Sequence, residues 1–241
     1  MRVAYVCADL GVPVFGRKGC SIHVQPNGVD PDRFSPGLGP ARTREPGTFT
    51  AGFVGTLKPW HGLSVLVEAF DRLHCRHPDA RLLVVGDGPE RSSLEDGLAR
   101  RGLAGVAWLT GAVAPEEVPP LLAEMDAAVA PYPGRGRFYF SPLKVYEYMA
   151  AGLPLVASRL GQLDELIRHE VDGLLCPAGD AAALAEALGR LRADPGLRRR
   201  LGGAARARVL AEHTWDAVVG RALRLAESAA PSAVAGGRGP L

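Results

Sequence analysis

The chain has 241 residues, 28 Lys plus Arg against 26 Asp plus Glu, a formal net charge of +2, and 47% apolar residues. That length suits one α/β domain or two small ones, the apolar share supports a sizeable core, and the near balance of charge carries no nucleic-acid signature. The four cysteines, Cys7, Cys20, Cys75 and Cys176, stand far apart with no C-x-x-C pair, which points to buried reduced thiols and away from a disulfide framework or a bound metal.

Residues 2–7 read as a buried strand, and a loop carrying Gly11, Gly16 and Gly19 follows. Asp9 interrupts the apolar start, so it does not read as a secretory signal. No run approaches the roughly 18 apolar residues of a membrane span. The expected location is the cytoplasm, with peripheral membrane contact left open. Ser21 is placed to cap a helix beginning at Ile22, but Pro26, Asn27 and Gly28 stop it at once. A single helical turn does not offset its own nucleation cost.

Residues 36–48 are rich in Pro, Gly and Arg and read as a linker. A regular rhythm then sets in, with strands at 49–54, 80–85, 106–109, 127–130 and 155–157, and helices at 63–73, 90–100, 115–124 and 143–151. This alternation predicts an α/β fold, a Rossmann-like parallel sheet flanked by helices. The last third reads as a helical C-terminal segment, 181–191, 197–211 and 215–229, followed by a disordered tail of Ala, Gly, Pro and Ser at 230–241.

In a parallel sheet ligands sit beyond the carboxyl ends of the strands, so the strand-to-helix junctions carry the candidate residues. In F-V-G-T-L-K-P-W-H-G (53–62), Gly55 lets the chain leave the strand tightly, and Lys58 and His61 bring donors to the rim, as a diphosphate requires. A tight turn with a surface lysine accounts for that loop equally well. In V-V-G-D-G-P-E (84–90), Gly86 and Gly88 suit close backbone approach to a ligand or to a neighbouring loop. The third glycine of a dinucleotide fingerprint and the Walker lysine are both missing. In the segment 140–152, Ser141 is placed as N-cap and Pro142 as first helical residue. The N–H groups of Leu143 and Lys144 would then be free for an anion. Lys144 and Glu147 share a helix face, suiting a diphosphate and a ribose diol respectively, or forming an exposed ion pair of small consequence.

These motifs converge. P-N-G-V-D-P-D-R-F (26–34), the 53–62 run, V-V-G-D-G-P-E, W-L-T-G-A-V (108–113) and E-Y-M-A-A-G-L-P-L-V-A-S (147–158) resemble, in order and spacing, the retaining group 1 (family 4) glycosyltransferases of GT-B fold. The likeness covers residues 26–229 and implies the C-terminal, nucleotide-sugar-binding half of that fold. It implies a UDP- or GDP-sugar donor, no required metal, and an acceptor that is a sugar, lipid-linked or small molecule.

Residue by residue, Glu147 matches the ribose-binding second glutamate of the family's E-x7-E motif, while Tyr139 stands where the first glutamate would fall. The family's phosphate-binding Arg and Lys fall at Thr56 and His61, leaving Lys58 as the nearby substitute. Gly111–Val113 matches the loop against which the base lies, and Gly16 the N-terminal loop facing the donor phosphate. Lys58, Lys144 and Glu147 are thus the expected catalytic positions. Gly16, Gly55, His61, Gly86, Gly88, Gly111, Val113, Ser141, Pro142 and Leu143 are the expected binding positions. V-F-G-R-K-G-C-S-I-H-V (14–24) is similar to the family's first glycine loop, so residues 1–25 are expected to be a remnant of an N-terminal acceptor domain otherwise deleted. Such a chain would bind donor weakly and turn over little, and uncovered apolar surface would favour self-association.

A sugar-nucleotide epimerase and a non-catalytic nucleotide-binding module are the alternatives. Arg190, Arg192, Arg198, Arg199, Arg200, Arg206 and Arg208 make either a solvated face or a patch for anionic lipid.

Overall fold

The computed structural model describes residues 25–39, 46–134 and 142–229. The expected N-terminal strand and glycine loop with Gly16, the expected cap Ser141, the aromatic run before it and the expected disordered tail lie outside these residues.

Six strands form one parallel sheet in the order β3-β2-β1-β4-β5-β6. They are β1 (Phe49–Val54), β2 (Ala80–Val85), β3 (Ala107–Gly111), β4 (Ala127–Ala130), β5 (Leu155–Arg159) and β6 (Leu174–Pro177). Their near-continuous apolar runs reflect burial on both faces. In β2, Leu82 and Val84 enter one core with Phe53, Leu66, Phe70 and Leu188. Leu83 and Val85 enter the opposite core with Tyr146, Tyr148 and Met149. The period of two in a strand makes that division. Helices α1 (Leu63–Arg76), α2 (Arg91–Ala99) and α6 (Ala181–Ala193) cover the first face. Helices α3 (Val118–Leu122), α4 (Leu143–Ala150), α5 (Gln162–Leu166) and α7 (Pro195–Glu212) cover the second. α8 (Trp215–Ala229) follows, and Val29 N–H donates to the His213 carbonyl at 2.9 Å, tying the segment ahead of the 36–48 linker to the start of α8. Trp215, Val219 and Leu223, four apart on α8, are exposed.

Several elements differ from expectation. β6 and α5 carry no sequence signal of their own. The four-residue run of β6 is fixed by pairing with β5, from Val156↔Leu174 to Arg159↔Pro177. The helix expected from residue 115 opens as a 3-10 turn, Pro115–Glu117, and becomes helical only at Val118. α7 begins at Pro195, two residues early, because the Asp194 side chain accepts the Leu197 N–H at 2.9 Å and proline suits the first helical position. Pro142 is the N-cap residue of α4 (φ −78°, ψ 89°), not its first helical residue, so Leu143 opens the helix. Cys176 is buried but Cys75 is exposed, against the expectation that both are buried, and both are free. Among the described residues no helix is long and apolar enough to cross a membrane.

The arginine-rich stretch is not a free cationic face. Arg190 pairs with Glu170, and Arg192 grips Asp79 with two nitrogens. Arg198 donates to the Leu191 carbonyl and Arg200 to that of Glu170. Arg206 donates to the carbonyls of Phe34 and Ala150. Arg208 reaches Asp172, whose side chain is 0% exposed, and the Leu166 carbonyl. Guanidinium groups with several fixed donors staple loop carbonyls and carboxylates from separate segments.

Arg208→Ala is expected to lower stability by about 2–4 kcal/mol, because buried Asp172 loses one of its guanidinium partners. Arg199→Ala, at an exposed position, is expected to stay within about 0.5 kcal/mol of the parent. Urea denaturation of the two variants checks this.

Candidate functional site

The strand order places a switch point between β1 and β4, where the chain runs outward to β2 and β3 on one side and to β5 and β6 on the other. In open α/β sheets the binding crevice lies there, outside the carboxyl ends. β1 and β4 pair only at Ala51↔Ala127 and Gly52↔Ala128. Gly55 N–H still donates to the Val85 carbonyl at 2.9 Å, so by the alternation of a strand the Val54 N–H points to the β4 side, beyond the last pairing. Tyr148 of α4 fills that gap: its buried hydroxyl oxygen accepts the Val54 N–H at 2.7 Å. An unpaired buried amide is costly, so this contact bolts α4 to the opening lip.

The glycines bring the rim loops together. Leu57 N–H donates to the Asp87 carbonyl at 2.9 Å, and Glu90 N–H to the Leu57 carbonyl at 3.0 Å. A Cβ on Gly88, whose φ is 158°, would lie 2.6 Å from the Leu57 carbonyl oxygen, and one on Gly86 would collide with the Gly55 carbonyl. Of the two roles the sequence leaves open for Gly86 and Gly88, the structure displays close approach to the neighbouring loop. Gly111, at φ 76°, accepts from Gly86 N–H at 3.0 Å and lies beneath the Arg91 guanidinium, which pairs with Asp87 and Glu95. Val113 continues this rim, half-buried against the second core.

Lys144 occupies the lip itself. It is 9% exposed, its Nζ has no hydrogen-bond partner, and that nitrogen lies 4.0 Å above the Phe53 ring and 5.9 Å from that of Tyr132. A Cβ on Gly55 would come within 2.8 Å of Nζ, so the glycine leaves room for the amine. Burial pulls the Lys144 pKa down to about 7, against the upward pull of Glu147. Glu147, one turn on and half-buried, is pushed above the usual carboxylate range by burial, while Arg33 and Lys144 oppose the shift. The exposed ion pair that would have been the plainer reading of these two residues is absent.

His61 sits between the rings of Phe53, Trp60 and Tyr132, with centroids 5.8, 6.1 and 5.8 Å away. Burial first, then Lys144 and Lys58, bring its pKa down to about 4, so it is neutral near pH 7. Its Nδ1 contacts the Thr56 carbonyl. A carbonyl only accepts, so Nδ1 carries the hydrogen and Nε2 presents a lone pair. The ring is therefore no ready donor for an anion, contrary to expectation.

Lys58 flanks His61 but faces outward, with Nζ 5.8 Å above the Trp60 ring, and it lines a groove of about 220 Å³ between α1 and α2 with Glu90 and Arg101. The structure thus gathers Gly55, His61, Lys144 and Glu147 and leaves Lys58 at their edge. Pro142 is buried and Leu143, the first residue of α4, is half exposed.

Four residues here escaped sequence reasoning. Phe53 stands in an expected strand and Tyr148 in an expected helix without a role of its own, and Tyr132 falls in no motif. Arg33 stands in P-D-R-F without distinction. Its Nη2 donates to the Pro115 carbonyl at 2.6 Å, joining the linker to the loop after β3.

This sheet with its helix-capped lip is a Rossmann-like domain of the kind that forms the C-terminal half of the GT-B fold. The family model of the group 1 glycosyl transferases matches residues 48–194. The chain is 31% identical over 209 residues to a glycogen synthase of Mycobacterium tuberculosis, covering 85% of this chain and 48% of that protein. It is 34% identical over 220 residues to a D-inositol 3-phosphate glycosyltransferase of Acidothermus cellulolyticus, covering 86% and 48%. The crystal structure of Anabaena HepE in complex with UDP superposes with a TM-score of 0.71 at 23% identity, over 86% of this chain and 57% of that one. The chain belongs to the group 1 glycosyl transferases and spans about half the length of these curated relatives.

Replacing Lys144 should raise stability. Its folded pKa lies below its unfolded one, so the folded state holds fewer protons between about pH 7 and 10. Stability is therefore lost as pH falls across that window and is level below it. Lys144→Met is expected to be more stable at neutral pH by roughly 1–4 kcal/mol, with the gain shrinking toward pH 10. Thermal melts of the two proteins across that range measure it.

Proposed function

We propose that this domain binds a nucleoside diphosphate sugar across the β1/β4 lip and acts as the donor half of a retaining glycosyltransferase. The single observation that carries the reading is the buried, unpartnered amine of Lys144, placed where α4 begins. A cation and free helix N–H groups aimed at one point suit a diphosphate.

In transfer, the bond between the anomeric carbon and the diphosphate oxygen breaks, and negative charge grows on the leaving phosphate. Preorganised donors stabilise that charge more than the ground state. Lys144 and the Leu143 and Lys144 amides take this role, with Lys58 at the edge as a second cation. Glu147 accepts from the ribose hydroxyls, and the rim at Gly111 and Val113 lies against the base. His61, neutral and packed, walls the pocket. The UDP bound in HepE supports a donor of this chemical class. Transfer itself needs an acceptor held on the other side of the cleft, and this domain alone is expected to bind donor with little turnover.

A panel of UDP-, GDP- and ADP-sugars tests the reading by thermal shift. Ligand at about 100 times its Kd stabilises by about 2.7 kcal/mol, which for a chain of this length is a rise of roughly 5–10 °C. No shift with any donor would refute donor binding, and a transferase assay beside it separates a binding module from an enzyme. Glu147→Gln is expected to weaken binding of the ribonucleotide about tenfold, while a 2′,3′-dideoxynucleotide, which lacks the diol, binds both proteins alike. Equal loss for both ligands would remove Glu147 from the ribose.

A further inference from the structure

We propose that donor binding is coupled to proton uptake at Lys144: the diphosphate converts a sequestered amine into an ammonium that pairs with it. The inference rests on the donor reading above and specifies how that site responds to pH.

The geometry is unusual for a lysine. An ammonium group has three N–H donors and is strongly hydrated in water. Here the nitrogen is enclosed by the Phe53 ring, the Tyr132 ring and the Gly55 backbone, with no hydrogen-bond partner. The Phe53 face replaces only part of the lost hydration. The surrounding groups give little compensation. On α4 itself, Glu147 favours the charged form, although burial raises the pKa of its own carboxyl. The hydroxyl of Tyr148 is taken up by the Val54 backbone. From the segment after β1, His61 is neutral, and Lys58 is a like charge. Arg33, from the segment before β1, acts on Glu147 and favours its carboxylate form. α7 packs on α4 with its Arg206 at the far end, on the Ala150 carbonyl.

The free site therefore releases its proton near neutrality, at about pH 7. A doubly charged diphosphate brought to the lip supplies the missing acceptors and opposite charge, and both favour the charged form. One proton passes from the buffer to the Nζ lone pair, and no bond to the sugar is made or broken in this step. Above the pKa of the free site, affinity then falls as pH rises. Below it, Lys144 is already charged and binding takes up nothing. His61 is the other group at the lip able to gain a proton. To do so in alkaline buffer it would have to climb from about 4, a far larger shift than Lys144 requires.

Calorimetry of the whole chain with UDP-glucose, GDP-mannose and ADP-glucose tests this, using two buffers of different ionisation enthalpy. These diesters have no phosphate titrating near neutrality, so any proton exchanged belongs to the protein. The expected result is uptake of close to one proton at about pH 8.5, falling toward zero at about pH 6, with Kd rising up to about tenfold per pH unit in the alkaline range. His61→Gln should keep the uptake. Lys144→Arg, permanently charged, should bind without it, and Lys144→Met should bind more weakly with a flat pH profile. Binding with an enthalpy independent of buffer in the alkaline range overturns the proposal, as does uptake that persists in Lys144→Met. If Lys144→Arg fails to fold, the wild-type and His61→Gln measurements decide alone. Absence of binding by all three donors at either pH overturns the donor reading itself, and this inference with it.

Discussion

The structure turns on a single conflict, a lysine amine kept out of water at the point where a parallel sheet divides. Burial of an unpaired cation opposes folding. Lys144 is nevertheless enclosed by Phe53, Tyr132 and Gly55 with its nitrogen unbonded. What makes this tolerable is that the amine gives up its proton near neutrality, and that its aromatic neighbours are themselves anchored in the two cores. In the proposed donor complex, an incoming anion would relieve the same conflict.

Everything needed to hold that lysine is backbone-deep. Tyr148 closes the hydrogen bonding of β1 where β4 falls away, and by doing so sets the position of α4, on which Lys144 and Glu147 stand. Gly55 has no side chain to obstruct the amine, and Gly86 and Gly88 let the second rim loop press against the first. Farther out, arginines of α7 tie the loop before β6, the end of α5 and the segment before β1 into the same body. These contacts hold the rim loops against one another and against α4.

His61 shows how environment overrides residue type. A histidine in a phosphate-loop position suggests a donor. Packed among three rings beside a second basic group, it stays neutral, with its one hydrogen turned to the Thr56 backbone. Lys58 reads from the sequence as the principal cation of the loop, yet it lies over Trp60 at the edge. The amine enclosed at the lip is that of Lys144, a residue whose chemistry depends on how deeply it is held.

Sequence alone determined the alternating strands and helices, the parallel sheet, and the family, because these depend on local periodicity and on motifs whose order survives in one dimension. β1, β2 and β4 and helix α8 were legible to their end residues. Short or edge elements such as β6 were not, since four apolar residues become a strand only by pairing with β5. Which side chains meet was decided by tertiary structure. Phe53, Tyr132 and Lys144 come from three segments, and their encounter depends on where β1 and β4 diverge. Burial, and with it the protonation of Lys144 and His61, is a property of that three-dimensional enclosure, which no spacing between residues encodes.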